Sequence, residues 1–124
     1  MALVDEEAPT WAQAVTDGTL VDVTTDARLF GIKCKVALTR AAWAACVMAT
    51  PEEMRCGLWP LARRRLLVVA IRAAMERAPE SAFTVRMWHT VERGPFGTTL
   101  HHLEVIASPG DAGEFVITCA LVNE

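Results

Sequence analysis

The sequence contains no tyrosine and only two serines, Ser81 and Ser108. Tryptophan and phenylalanine therefore supply all of its aromatic bulk. Both serines stand at the boundaries of expected elements and no G-x-S-x-G pattern occurs, so a serine nucleophile on a strained elbow is not indicated. The phosphate-cradling loops G-x-x-x-x-G-K-[ST] and G-x-G-x-x-G are missing as well, and no cofactor is expected. The cysteines Cys34, Cys46, Cys56 and Cys119 include no C-x-x-C pair. They read as reduced, apolar side chains rather than as a metal or disulfide framework. Cys56, beside Gly57, is the thiol expected at the surface, with only Arg55 close in sequence to lower its pKa. The longest nearly apolar run, Leu66–Ile71, is far short of the roughly 20 residues of a membrane span. The start, Met1-Ala-Leu-Val-Asp-Glu-Glu7, is acidic where a secretory signal is basic and then apolar. A cytoplasmic location is expected.

What is present is apolar: of 124 residues, 52% are hydrophobic and 22% charged. That excludes a disordered chain and fits one domain over 1–124, with 1–9 as an acidic arm. A domain of this length buries roughly two-thirds of the surface its unfolded chain exposes and needs no covalent staple. Lys and Arg total 12 and Asp and Glu 15, a formal net charge of −3. This is too acidic for a dedicated nucleic-acid binder and too mildly acidic for a mimic of the DNA phosphate backbone.

Thr10 is placed to N-cap a short helix that ends at Val15 or Thr16, with Gly18 in a left-handed position behind it. Thr19–Val23 and Val36–Leu38 read as short extended pieces. Thr24 or Thr25 caps a brief helix stopping at Gly31, and Thr39 caps another from Arg40 to about Ala49, before Pro51. Thr50-Pro-Glu-Glu53 starts a further turn, with proline at the first helical position and acids at the positive end of the dipole. It breaks near Gly57. From Phe83 the period becomes 2: Val85, Met87, His89 and Val91 face one way, and Thr84, Arg86, Trp88, Thr90 and Glu92 the other. Turns at 94–97 and 108–113 lead to strands over about 98–107 and 115–122, an antiparallel meander. The expected fold is α+β: N-terminal helices and one long central helix packed on a C-terminal three-stranded antiparallel sheet, extended by Leu20–Val23 or Val36–Leu38.

Leu58–Ala78 is the long helix. Arg65, Arg72 and Glu76 share a polar stripe only about 40° wide, and the rest is mostly apolar. A helix of this kind is expected in the middle of the domain, covered on more than one face. That leaves the outer faces for docking and no hollow for chemistry.

The basic cluster Arg63-Arg64-Arg65 fans over about 200° of a helix, too wide for a flat phosphate-binding stripe. Pairing with Glu52 and Glu53 of the preceding turn is one reading. Arg63 and Arg64 as anchors for an acidic partner, or a nucleic-acid contact through Arg63–Arg65, is the other. His101 and His102 are adjacent on a strand and face opposite sides, so at most one can join His89. With no H-x-x-x-H pair, no metal site is expected; a small enzyme using His89 with a carboxylate remains the catalytic alternative. Trp43 and Trp59 are expected in the core. Trp88, on one face with Arg86 and Glu92, is a candidate anchor for a protein partner. Before Lys33 there are six acids, Asp5, Glu6, Glu7, Asp17, Asp22 and Asp26, against the single base Arg28. They would complement a basic surface on a partner; helix capping and a solvated arm are the alternative. An exposed sheet edge would permit a homodimer by strand addition.

Three blocks carry a resemblance: Gln13-Ala-Val-Thr-Asp-Gly-Thr-Leu-Val-Asp-Val23, Val36-Ala-Leu-Thr-Arg-Ala-Ala-Trp43 with Cys46-Val47, and Gly110-Asp-Ala-Gly-Glu-Phe-Val-Ile-Thr118. Together, in this order, the chain resembles a family of small uncharacterised bacterial proteins carried on plasmids, phages and other mobile elements. It departs from that pattern in a shortened segment from Glu52 to Leu58 and in Phe115, where the family usually has proline. The resemblance implies an accessory factor against host defence. Such a factor is a non-enzymatic inhibitor, expected to be an anti-CRISPR protein that occupies a surface of a CRISPR effector or other defence nuclease in the bacterial host.

Overall fold

The computed structural model describes residues 10–78 and 83–124. The acids Asp5, Glu6 and Glu7, with the rest of the expected arm, lie outside them. Thr10 caps helix α1 (Trp11–Thr16) through a reciprocal capping box with Gln13, a device worth about 1 kcal/mol. Strand β1 (Leu20–Asp22), helix α2 (Thr24–Leu29) and strand β2 (Lys35–Thr39) follow. Thr39 caps α3 (Arg40–Cys46), and Thr50 caps α4 (Pro51–Arg55) with a second capping box closed by Glu53. Helix α3 is shorter than expected, ending before Val47. The long helix α5 (Pro60–Arg77) leads to β3 (Thr84–Glu92), β4 (Thr98–Pro109) and β5 (Phe115–Leu121).

The fold class is α+β, but the sheet is larger than the expected three antiparallel strands. Five strands lie in the order β1-β2-β5-β4-β3. The pair β2–β5 is parallel, and the other three pairs are antiparallel. The reason lies in β2: Val36, Ala37 and Leu38 are all fully buried. A strand apolar on both faces belongs in the interior of a sheet. It enters beside β5, so that Val36 and Leu38 stand level with Ile117 and Cys119.

The inner face of the sheet carries Val36, Leu38, Met87, Val91, Leu103, Val105, Ile117 and Cys119. They form one core with Leu67, Val68, Ile71 and Ala74 of α5 and Ala42 and Cys46 of α3. The outer face is covered only in part. Ala37 and Val116, which point outward, are buried at the end where α1 sits. There Asp111 accepts the N–H groups of Trp11 and Ala12 at 2.9 and 3.2 Å, and the Lys35 ammonium lies 5.2 Å from the Trp11 ring centre. The β3–β4 end of that face is open.

Helix α5 departs from expectation. It is covered on one side rather than sandwiched. Arg63, Leu67, Val68, Ile71 and Ala74 are buried, while Leu61, Leu66 and Val69 are exposed. Helix α2 flanks it along Arg64, Arg65 and Arg72. No described element covers the far side, because the sheet ends at β3 beneath it.

Candidate interaction site

A buried polar knot fixes the helices to the sheet. Glu53 and Arg63 are 4% and 5% exposed. Arg63 Nη2 donates to Glu53 Oε2 and, at 2.6 Å, to the Glu92 carbonyl; its Nη1 donates to the Met48 carbonyl at 2.7 Å. Arg93 Nη1 donates to Glu53 Oε2 at 3.1 Å, its Nη2 to the Ala45 carbonyl at 2.6 Å, and its Nε to Thr99 Oγ1 at 3.2 Å. Glu53 Oε1 accepts the Thr50 N–H at 3.0 Å. The hydrogen bond from Arg63 foremost, then that from the Thr50 backbone, lowers the Glu53 pKa to about 2. One carboxylate thus ties together α4, α5, the end of α3 and the β3–β4 hairpin.

The pairing of Arg63 with Glu53 is the one suggested by their spacing, and Arg55 pairs with Glu52 at 3.8 Å. Arg63 is therefore turned inward and presents nothing to a partner. Arg64 and Arg65 converge on Asp26, Arg65 Nε at 3.6 Å. Asp26 is itself only 4% exposed, so it too is withdrawn from the surface. Asp17 accepts the Thr19 N–H and hydroxyl at 2.9 and 2.6 Å, which lowers its pKa, and Asp22 holds Thr24 in the same way. Both carboxylates are engaged in local turns.

Arg86 and Trp88 remain at the surface. On the open end of the outer face the exposed Trp88 lies flat on His102, ring centres 4.1 Å apart and planes 8° from parallel. The two residues are cross-strand partners, as are Arg86 and Glu104, whose charges stand 3.9 Å apart. Thr90 and the exposed Leu100 continue the same face. His89 pairs across the ladder with His101 on the inner face, opposite to His102. Burial lowers the pKa of both His89 and His101. Among the described residues, no group of three or more His, Cys, Asp or Glu side chains is placed to hold a metal ion, and no helix is long and apolar enough to cross a membrane.

The second surface feature is the bare flank of α5. Trp59, expected in the core, is 55% exposed, and it stands in line with Ala62, Leu66 and Val69. These positions follow the 3-4 spacing of a helical seam. Between this seam and the edge strand runs a cleft of about 80 Å³, lined by Leu58, Trp59, Ala62, Leu66, His89 and Val91 among others. Its walls are largely apolar, and the guanidinium of Arg63, which also borders it, is engaged by Glu53. Trp43, by contrast, packs against the core from the partly buried side of α3, as expected.

Sequence reading offered the Arg63–Glu53 pair but not the second arm of the knot, from Arg93. Arg93 lies 40 residues from Glu53, on the far side of a strand, and no local pattern joins the two. The seam was not singled out either: a helix apolar around most of its circumference gives no sign of which side its neighbours leave uncovered. No protein-family model, no curated protein and no solved structure matches this chain.

Proposed function

We propose that the chain is a non-enzymatic protein-binding inhibitor from a mobile element, an anti-CRISPR protein that occupies a surface of a host CRISPR effector. The observation that carries the binding reading is the Trp88–His102 stack on an open sheet face, beside Arg86 and Leu100. A tryptophan 64% exposed yet stacked on its neighbour has part of its conformational freedom already spent before docking. Tryptophan and arginine together are the side chains most enriched at the energetic centres of interfaces. The mobile-element resemblance supplies the class of partner. The acids of the first segment contribute less to this reading than the composition suggests, since Asp17 and Asp22 are spent on local turns and Asp26 on Arg64 and Arg65 of the long helix.

The test is a pull-down of purified CRISPR effector complexes and other defence nucleases with the full chain, beside Trp88→Ala and Arg86→Ala. Capture by the wild type, weakened at least tenfold by Trp88→Ala in a variant with an unchanged circular dichroism spectrum, supports the reading. Inhibition retained in cells with no capture of any defence protein overturns it.

A further inference from the structure

We propose that the free edge of β3 and the bare seam of α5 form one surface for a second copy of this chain, making a two-fold symmetric dimer with a continuous ten-stranded sheet. Strand β3 ends the sheet, and no strand pairs with its far side among the described residues. The Arg93 N–H donates to the Gly97 carbonyl and the Ala107 N–H to the Phe83 carbonyl, both at 2.7 Å. Odd-numbered residues of β3 therefore turn their backbone groups toward β4. The even-numbered ones, Thr84, Arg86, Trp88, Thr90 and Glu92, turn theirs to the open side. The Glu92 carbonyl is already taken by Arg63, which leaves Thr84 to Thr90 as the free segment.

Natural edges of this length are blunted by lysine, proline or a bulge. This one has no lysine, proline or bulge; its formal charges are Arg86 and Glu92, and it pairs without interruption along β4. Antiparallel self-pairing about Met87 uses each of the four free positions. Thr84 meets the second copy's Thr90, and Arg86 meets the second copy's Trp88. No like charges are opposed, and each guanidinium gains an aromatic face.

The same two-fold axis brings the α5 seams together. The seam borders the edge strand through the shared cleft, with Trp59, Ala62 and Leu66 on one wall and His89 and Val91 on the other. Helix α5, of 18 residues, is about 27 Å long, close to the span of β3. A monomer would leave Trp59, Leu66 and Val69 in water beside an unpaired strand. The arrangement draws on Arg86 and Trp88, which are also the proposed contacts for the host protein, so its test is made on the free chain, where no host protein is present; it would set two Trp88–His102 stacks on one outer face.

The experiment is molar mass by light scattering on the full chain at 1 to 100 μM, with three kinds of variant. The wild type is expected to be a dimer. Leu66→Glu and Thr90→Pro, each at a site exposed in the monomer, are expected to weaken association at least tenfold while melting within a few degrees of wild type. Val85→Cys with His89→Cys in one chain is expected to form a covalent dimer on mild oxidation, because these are non-hydrogen-bonded partners in the proposed register, about 4.5 Å apart, where side chains come close enough for a disulfide. Either single cysteine variant should stay at the wild-type background. A wild type that is monomeric throughout overturns the proposal. So does a dimer that withstands both Leu66→Glu and Thr90→Pro, or cross-linking that the single variants match. Should Thr90→Pro fail to fold, the cysteine pair still decides the register.

Discussion

Glu53→Gln removes one charge from the centre of the knot and little volume. Two guanidiniums, those of Arg63 and Arg93, then face an amide where they met a carboxylate. Arg63 is 5% exposed, and its Nε already lacks a partner, so the orphaned charge has almost no recourse to water. Breaking a buried pair by removing one partner costs about 3–5 kcal/mol. Arg93 is partly solvated and the amide oxygen can still accept one hydrogen bond, so about 2–4 kcal/mol is expected here. Urea denaturation at pH 7 should show this as a lowered midpoint with an unchanged slope. The pH dependence provides a second, independent readout. The Glu53 pKa is held at about 2 in the fold, against 4.5 as the ordinary value. The unfolded chain therefore takes up the proton first. The stability conferred by the carboxylate is complete above about pH 4.5 and is lost as pH falls toward 2. Glu53→Gln should flatten the acid limb in that window. A loss below about 0.5 kcal/mol at pH 7, with the acid limb unaltered, would refute the assignment of the knot as a fold determinant.

A second acid-sensitive window should lie nearer neutrality. Burial first, then His101, lowers the His89 pKa below 6.5, and burial then Arg93 lowers that of His101. The unfolded state binds protons first, so stability should fall as pH drops from about 7.5 through 6.5 and level off only below the folded values; His89→Gln should reduce that slope in urea titrations at pH 8 and 5.5. Leu67→Ala, at a fully buried site of α5, should cost about 2–5 kcal/mol through lost burial and a residual cavity, measured by chemical denaturation. The cysteines should separate by reactivity. Cys56 is exposed, whereas burial raises Cys46 to about 11 and Cys119 to about 12. An aromatic disulfide reagent at pH 8 should therefore modify Cys56 first and reach Cys46 and Cys119 only on unfolding; rapid modification of Cys119 in the native protein would contradict the core described here.

Local chemistry was the legible part of this chain. Thr10, Thr39 and Thr50 cap the helices they were expected to cap, because a hydroxyl answering a free N–H three residues on needs no distant partner. The change of period at β3 is equally local, and it places Trp88 and His89 on opposite faces as expected. What could not be read was any contact that closes over distance. The parallel partnership of β2 and β5 joins segments some 80 residues apart. Asp26, read as a surface acid, is buried because Arg64 and Arg65 arrive from a helix placed by that topology. Charge counted along a sequence says how many ionic groups there are, and only the fold says which have already found each other.

The misreading of α5 has a more general cause. A helix apolar around most of its circumference minimises its exposed surface when neighbours cover every side, and within a single copy that condition predicts a central position. The periodicity is the same when the second covering layer comes from another molecule. In this chain the inner face of α5 is filled by its own sheet, and the flank with Trp59, Leu66 and Val69 is left over. That flank ends at a strand edge with unpaired backbone groups rather than at a polar rim. Two kinds of unsatisfied surface, apolar side chains and main-chain donors and acceptors, therefore adjoin along one border. A covering chain must bury the first and pair the second at once, which a strand followed or preceded by a helix does and a small ligand does not. The composition predicted more than one cover for the helix, and among the described residues the fold supplies one.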